Sequence, residues 1–473
     1  MPFPFNFYEE NLLMFRITKI YLLFLFIFLS GCSHKKILIS DSNFSTPQDE
    51  LYSLKGDLNS TDIPSFQSIV SIKGLKNLVD KGLQKNPQWR AQLAKLNVVR
   101  AKQGLVVSPS KPSLEGSIGW RDGKEKTRES GFKEMPLPSW YGGALFNWEV
   151  DLWGKWKIVK KSALMHVEEA EYLKQSSKII FVHEIANTWI SLAAQKEQLS
   201  ILNRSIVSQQ QSKRFYEKRV EVGKESNVTL ARQNVIYDQL QLEYAGMNRM
   251  FEITKLRMQN LIGDQLNSLE IDIPNISEIQ LPELPKVFPT VALKKRPDLM
   301  SKESKIKESI YLQRSMEYDL YPSLSFQTSG LFFGSSLSEP FEQWKASMGP
   351  VLKLPIWSPR KKVKVIVSKE ETKLYKEEWK ALINLAIEEI ESSTKSFVMS
   401  LSELLLAEKT SKETKKILSI TKSKLEAGIV SQLELIEDER QFLETNRKAV
   451  VSRLQVFQFA LDLTKALGLQ WEE

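Results

Sequence analysis

Residues 143–154 read Gly-Ala-Leu-Phe-Asn-Trp-Glu-Val-Asp-Leu-Trp-Gly. In an extended chain successive side chains point to opposite faces. Ala144, Phe146, Trp148, Val150 and Leu152 then share one face, while Asn147, Glu149 and Asp151 share the other. A run near 112–121 alternates likewise, with Leu114, Ile118 and Trp120 opposing Ser113, Glu115 and Ser117. A third run, near 322–333, sets Leu324, Phe326 and Phe332 against Ser323, Ser325, Gln327 and Ser329, and a fourth lies near 345–356. This pattern suits a membrane barrel with a wet lumen, and it suits any antiparallel sheet with one buried face. Trp120, Trp140, Tyr141, Trp153, Trp344 and Trp357 fall at strand ends, where interfacial girdles of a barrel belong. Even small barrels use about eight strands, so four that span a bilayer require several chains in one barrel.

Working outward, the flanking sequence repeats. Asn86-Pro87-Gln88 matches Arg296-Pro297-Asp298, and Pro112-Ser113-Leu114 matches Pro322-Ser323-Leu324, both at an offset of 210. Val220-Glu221-Val222-Gly223 resembles Leu425-Glu426-Ala427-Gly428, and Leu261-Ile262-Gly263 matches Ala466-Leu467-Gly468, both at 205. Four matches in one order indicate a duplication with a loop of different length. Each half has one grammar: a helical stretch (74–107; 290–318), two strands, a very long helix (about 158–220; 360–425), a Gly turn and a return helix (about 228–262; 432–467). Sixty residues of helix span roughly 90 Å, too long for a globular core. Apolar residues run at heptad spacing. The seams are Val182, Ile185, Trp189, Leu192, Leu199, Ile206; Ile383, Ile387, Ile390, Phe397, Leu401, Leu404; and Ile436, Leu443, Val450, Leu454, Phe457, Leu461. A plain coiled-coil rod accounts for any one seam, but less readily for two hairpins attached to short strands.

The N-terminus reads as an address and an anchor. Arg16 and Lys19 precede ten apolar residues, Ile20 to Leu29, the size of a signal-peptide core and short for a spanning helix. Leu29-Ser30-Gly31-Cys32 follows and resembles the lipobox of bacterial lipoproteins. Cys32, the single cysteine, is the expected lipid-attachment site, carrying diacylglycerol and an N-acyl chain. Glu9 and Glu10 precede the basic region, so the expected start is Met14. By resemblance, Ser33 after the cysteine points to the outer membrane.

Composition closes other routes. A length of 473 residues suggests two or three domains, and 66 Lys and Arg against 57 Asp and Glu leave +9, a poor argument for nucleic-acid binding. One Cys excludes a disulfide framework and a Cys-rich zinc site. The absence of long apolar runs beyond the N-terminus excludes a multi-span helical protein. His34, His166 and His183 lack ligand spacing, and helix-surface positions are the expectation for them. His183-Glu184 starts no zincin motif because position 187 is Asn. No nucleophile elbow or phosphate loop is present, so the expectation is a protein with no enzymatic activity, metal or cofactor.

From about residue 70 onward the chain resembles the TolC family of outer-membrane efflux proteins, in its OprM/NodT-like lipoprotein branch. The resemblance rests on Asn86-Pro87, Pro112-Ser113-Leu114, Trp148 to Gly154, Arg296-Pro297-Asp298-Leu299, Tyr321-Pro322-Ser323-Leu324, Gly349-Pro350, Leu354-Pro355-Ile356-Trp357 and the Gly223 and Gly428 turns. It implies a mainly α homotrimer with membrane β structure. Each protomer gives four strands to a shared twelve-stranded barrel, and coiled-coil helices form a hollow periplasmic α-barrel. The expected division is 1–31 signal peptide, 32–70 anchor and linker, 71–263 first repeat, 264–292 equatorial linker and 293–473 second repeat. The implied function is a passive exit duct for small solutes or drugs, fed by an inner-membrane pump through a periplasmic adaptor.

The resemblance also implies a gate at the periplasmic tip. Residues 428–440, Gly-Ile-Val-Ser-Gln-Leu-Glu-Leu-Ile-Glu-Asp-Glu-Arg, resemble the family stretch G-x-x-S-x-L-x-x-L-D-A-Q-R. Leu433 and Glu437 fall at the constricting positions, one helical turn apart, with Glu where the family has Asp. Arg440 is the candidate inter-helix tether, and Arg232 and Gln233 hold comparable places in the other hairpin. A threefold ring of Glu437 favours cations; Glu437 and Arg440 read equally as solvated charges. Gly223, Ser226, Gly428 and Ser431 are the expected adaptor contacts, with the serines as helix caps and the glycines in αL turns. The rival function is a lipid-anchored coiled-coil adaptor without a pore; two equivalent hairpins argue against it. The basic residues Lys155, Lys157, Lys160 and Lys161 read as solvated, or as facing anionic surroundings near the membrane.

Overall fold

A computed structural model describes residues 66, 74–126, 134–136, 140–264, 273–283, 293, 296–334 and 342–471. The elements are α1 (Leu75–Lys85), α2 (Pro87–Val107), β1 (Ser113–Trp120), β2 (Lys124–Lys126), β3 (Glu134–Pro136), β4 (Trp140–Val150), α3 (Lys155–Glu221) and α4 (Asn227–Ile262). The second half supplies α5 (Pro297–Tyr318), β5 (Ser323–Gly334), β6 (Gln343–Lys353), α6 (Pro359–Glu426) and α7 (Gln432–Ala466). The signal segment and Cys32 lie outside the described residues.

The first helical stretch is two helices. Asn86 adopts φ −64° and ψ 122°, the extended setting expected before a proline. Its side chain accepts from Trp89 N and donates to the carbonyls of Asn260 and Leu261 at 3.1 and 3.0 Å. Arg296 has the same backbone setting before Pro297 and donates to Ala466 O at 2.7 Å. Each repeat thus pins the start of its first long helix to the end of its return helix. The repeats do not pack as separate bodies, because α3 touches both α5 and α7.

The sheet runs β1-β4-β5-β6, all antiparallel, and a small β2-β3 hairpin extends from it. The register aligns the alternation across all four strands. Leu114 lies opposite Phe146, Trp148 opposite Phe326, and Leu324 opposite both Val150 and Leu352. On the other face Ser113 meets Asn147, Asn147 meets Gln327, and Ser329 meets Ser347 with their hydroxyls 2.7 Å apart. The strand expected at 143–153 spans 140–150 instead. Asp151 leaves it to accept the Trp156 and Lys157 amides at 3.1 Å, capping α3, so Asp151 and Leu152 belong to a turn.

Below the sheet the helices keep its order: α2 beside α3, α3 beside α5, α5 beside α6. Farther along, α3 and α4 form one hairpin and α6 and α7 the other, joined through α3 and α7. With 67 and 68 residues, α3 and α6 are each roughly 100 Å long. The α7 seam is buried at Ile436, Leu443, Val450, Phe457 and Leu461. On α3 the seam holds from Val182 to Leu192, then passes to Ile201 and Leu202, while Leu199 and Ile206 are half-buried. An α-helix drifts about 20° per heptad from a 3.5-residue repeat, so a strict seam precesses along so long a helix. Among the described residues no helix is long and apolar enough to cross a membrane.

Candidate functional site: a two-faced sheet above a helical tip

The apolar sheet face carries aromatic bands at both ends. Trp120 pairs with Trp140, and Phe332 with Trp344, at the hairpin end. At the helix end Trp148 stacks on Phe326 at 6.4 Å, and Trp153 packs on Tyr321 at 5.5 Å while donating to Pro322 O. Strands of 11 or 12 residues suit a tilted bilayer crossing. The outer edges of β1 and β6 have no strand partner among the described residues. An open edge is a row of unpaired amides and carbonyls, which lipid cannot satisfy.

Between the hairpins, residues 273–283 form a strap. Ile273, Ile276 and Ile279 are buried, Arg453 donates to the carbonyls of Ile276 and Ile279 at 3.0 and 2.7 Å, and Glu197 accepts Ser277 N at 3.0 Å. Lys196 donates to Ile273 O. The strap therefore ties α3 to α7.

At the tip both turns are built alike. Gly223 and Gly428 have φ of 71° and 73°, and the following amides return to Arg219 O and Lys424 O at 2.8 and 2.9 Å. Ser226 and Ser431 cap α4 and α7 through Thr229 N and Glu434 N at 3.2 and 3.3 Å. Val222, Val228 and Ile429 are exposed beside them.

Along α7 successive acids point to different neighbours. Glu437 is exposed and pairs with Arg440 on its own helix, so within one chain Arg440 does not tether another helix. Leu433 is half-exposed one turn from Glu437. Asp438 accepts from Thr421 on α6 at 2.5 Å, and Glu439 from Ser208 on α3 at 2.7 Å. Arg447 pairs with Glu243 on α4. Gln233 is held by Gln209 at 2.8 Å inside its own hairpin, whereas Arg232 is exposed and has no partner among the described residues. The inter-helix groups are thus Asp438, Glu439 and Arg447, which sequence reasoning missed. A run of acids shows no direction until its neighbours are placed, because each step on a helix turns 100°.

His34 lies outside the described residues, and His166 and His183 are not simple surface residues. His183 lies 3.0 Å from Asp462 of α7. His166 lies 3.2 Å from Glu169 and 3.4 Å from Glu308, and these three side chains converge closely enough for one ion. Helix α5 supplies Glu308 from far along the chain, which spacing within α3 cannot reveal. Lys305 already stands there, 2.9 Å from Glu308 and 3.7 Å from Glu169, so an ammonium holds the place of a metal. Burial raises the Glu169 carboxyl above its ordinary value despite Lys305. For Lys305 burial acts downward but is outweighed by Glu308 and Glu169, so its ammonium is raised.

Residues 78–264 match the family described as outer membrane efflux protein. These residues carry the domain of that family, and the chain's relatives are outer membrane efflux proteins. The chain is 21% identical over 442 residues to the pyoverdine export outer membrane protein OpmQ of Pseudomonas aeruginosa, covering 91% of this chain and 93% of that one. It is 21% identical over 470 residues to the toluene efflux pump outer membrane protein TtgI of Pseudomonas putida, covering 95% and 97%. Its fold matches the Campylobacter jejuni CmeC outer membrane channel with a TM-score of 0.74 at 19% identity, over 89% of this chain and 92% of that. The family is one of transport proteins of the outer membrane rather than enzymes, and a pore-less adaptor is not supported.

Proposed function

We propose that the protein is the outer-membrane exit duct of a tripartite efflux system and conducts small solutes passively. The observation that carries this reading is the sheet: one face apolar and edged with aromatics, the other polar, and both edges open. Three copies edge to edge give twelve strands, leave no open edge and enclose the polar face. The helices continue in the same order, so the wall extends beneath the sheet. Nothing in the described residues supplies energy or covalent chemistry, so the driving force comes from an inner-membrane pump and a periplasmic adaptor. The relatives' names mention pyoverdine and toluene, and only the broad class of small solutes is carried over.

In this reading Cys32 bears the acyl anchor, and no other cofactor is required. The tips carrying Gly223, Ser226, Gly428 and Ser431 meet the adaptor. Leu433 and Glu437 narrow the periplasmic end, with Arg232 and, once it turns from Glu437, Arg440 as the cations that bridge between protomers. Single-channel conductance of the detergent-purified protein, measured with its oligomer mass, tests the proposal. Discrete, mostly closed channels from a trimer are expected. A non-conducting monomer that stays soluble without detergent sinks it.

A further inference from the structure

The excess positive charge has an address. The first ten residues of α3 hold Lys155, Lys157, Lys160 and Lys161 with no acid. The first ten of α6 hold Arg360, Lys361, Lys362 and Lys364, again with no acid. Without these eight, the remaining 58 cations nearly balance the 57 anions of the whole chain. Both helices begin directly beneath strands, after links of four residues from β4 and five from β6. All eight cations therefore sit within roughly 14 Å of the helix starts.

This placement is unfavourable unless something outside the chain answers it. Helix N-termini carry partial positive charge and favour acids, so cations gathered there are disfavoured. Some of the eight have local partners. Lys155 pairs with Asp319 at 2.7 Å, Lys361 donates to Asp319 O at 2.8 Å, and Lys161 lies over the Tyr311 ring. The side chains of Lys157, Lys160, Arg360, Lys362 and Lys364 have none among the described residues. A separate observation names the environment. Leaving β6, the chain exposes Ile356 at 93% and Trp357 at 82%, immediately before the first basic turn of α6. Aromatic residues mark the headgroup level of a bilayer, and cations just beyond them meet anionic lipid.

We propose that this collar, present in both repeats, binds anionic phospholipid headgroups of the periplasm-facing leaflet. The inference rests on the membrane placement of the sheet. It assigns the collar to the outside of the wall, where it fixes the depth at which the channel sits.

The full-length protein in detergent is titrated separately with phosphatidylglycerol and phosphatidylcholine of the same chains. Lipid retained on the intact oligomer is read by native mass spectrometry. The wild type is expected to prefer phosphatidylglycerol at about 0.1 M salt and to lose the preference near 1 M, where the Debye length is about 3 Å. K157Q/K160Q/K362Q/K364Q is expected to lose roughly fivefold in relative affinity per cation removed. Equal retention of both lipids by the wild type overturns the proposal, and needs no variant to fold. So does an unchanged preference in the variant. A variant that keeps its lipid but becomes less permeable to anions places the cations in the pore instead. Conductance of the same wild-type sample separates the two readings: a conducting channel without lipid preference defeats the collar alone.

Discussion

Asn86 and Arg296 hold the same place in the two repeats and use different chemistry there. Asn86 caps its helix and bonds two carbonyls at the end of α4. Arg296, with a side chain only 7% exposed, bonds Ala466 O, Asp298 and Glu389. Burial alone would lower its guanidinium, but the two carboxylates outweigh that and raise it. Arg296→Ala removes charge-assisted bonds and strands a carbonyl and two acids, for an expected loss of about 3 kcal/mol in urea unfolding. Asn86→Ala loses a cap and two bonds, for about 2 kcal/mol. The glycines offer a sharper contrast. At Gly223 an added methyl meets open space, so Gly223→Ala carries only the left-handed backbone penalty of about 1 kcal/mol. At Gly263 the methyl lies 2.8 Å from the Lys85 backbone, so Gly263→Ala is expected to shift the urea midpoint at least twice as far.

At the scale of elements, the contact between α3 and α5 is held by Lys305 between Glu169 and Glu308, with His166 beside them. The sign follows from the raised ammonium. Lys305 stabilises the fold fully below its unfolded value, near 10.5, and that contribution is lost as pH rises through the higher folded value. The contact is thus insensitive to pH near neutrality on account of Lys305. Glu169 works the other way: raised by burial, it makes ionisation costly to folding as pH climbs past the unfolded carboxyl value near 4.5. Lys305→Met removes the compensating cation and leaves two facing acids. Its melting temperature is expected to fall relative to wild type between about pH 4.5 and pH 8, with the gap narrowest at the acid end. A gap independent of pH denies the cluster this role.

For the whole molecule, the channel reading makes the tip the place where conduction is controlled. Leu433→Ala with Glu437→Ala is expected to raise the open fraction in planar bilayers and to weaken cation preference, since acidic rings attract cations. Unchanged conductance removes both residues from the gate. Ser208→Ala with Arg447→Ala instead cuts two links from the lower part of α7 to the first hairpin, so faster amide exchange is expected there.

Much of this protein is local physics and was legible in the chain. The two-residue period fixes which sheet face is apolar, the heptads fix the helices, and glycine followed three residues later by serine fixes both tip turns. Asp151 and Leu152 misled the strand boundary because a helix cap and a strand residue look alike until the next helix is in place. Tertiary structure alone decided which of Glu437, Asp438 and Glu439 faces another helix, that His166 meets Glu308, and that Arg453 grips the strap. These contacts join residues tens to hundreds of positions apart. Their geometry depends on how long helices precess and cross, which no local period records.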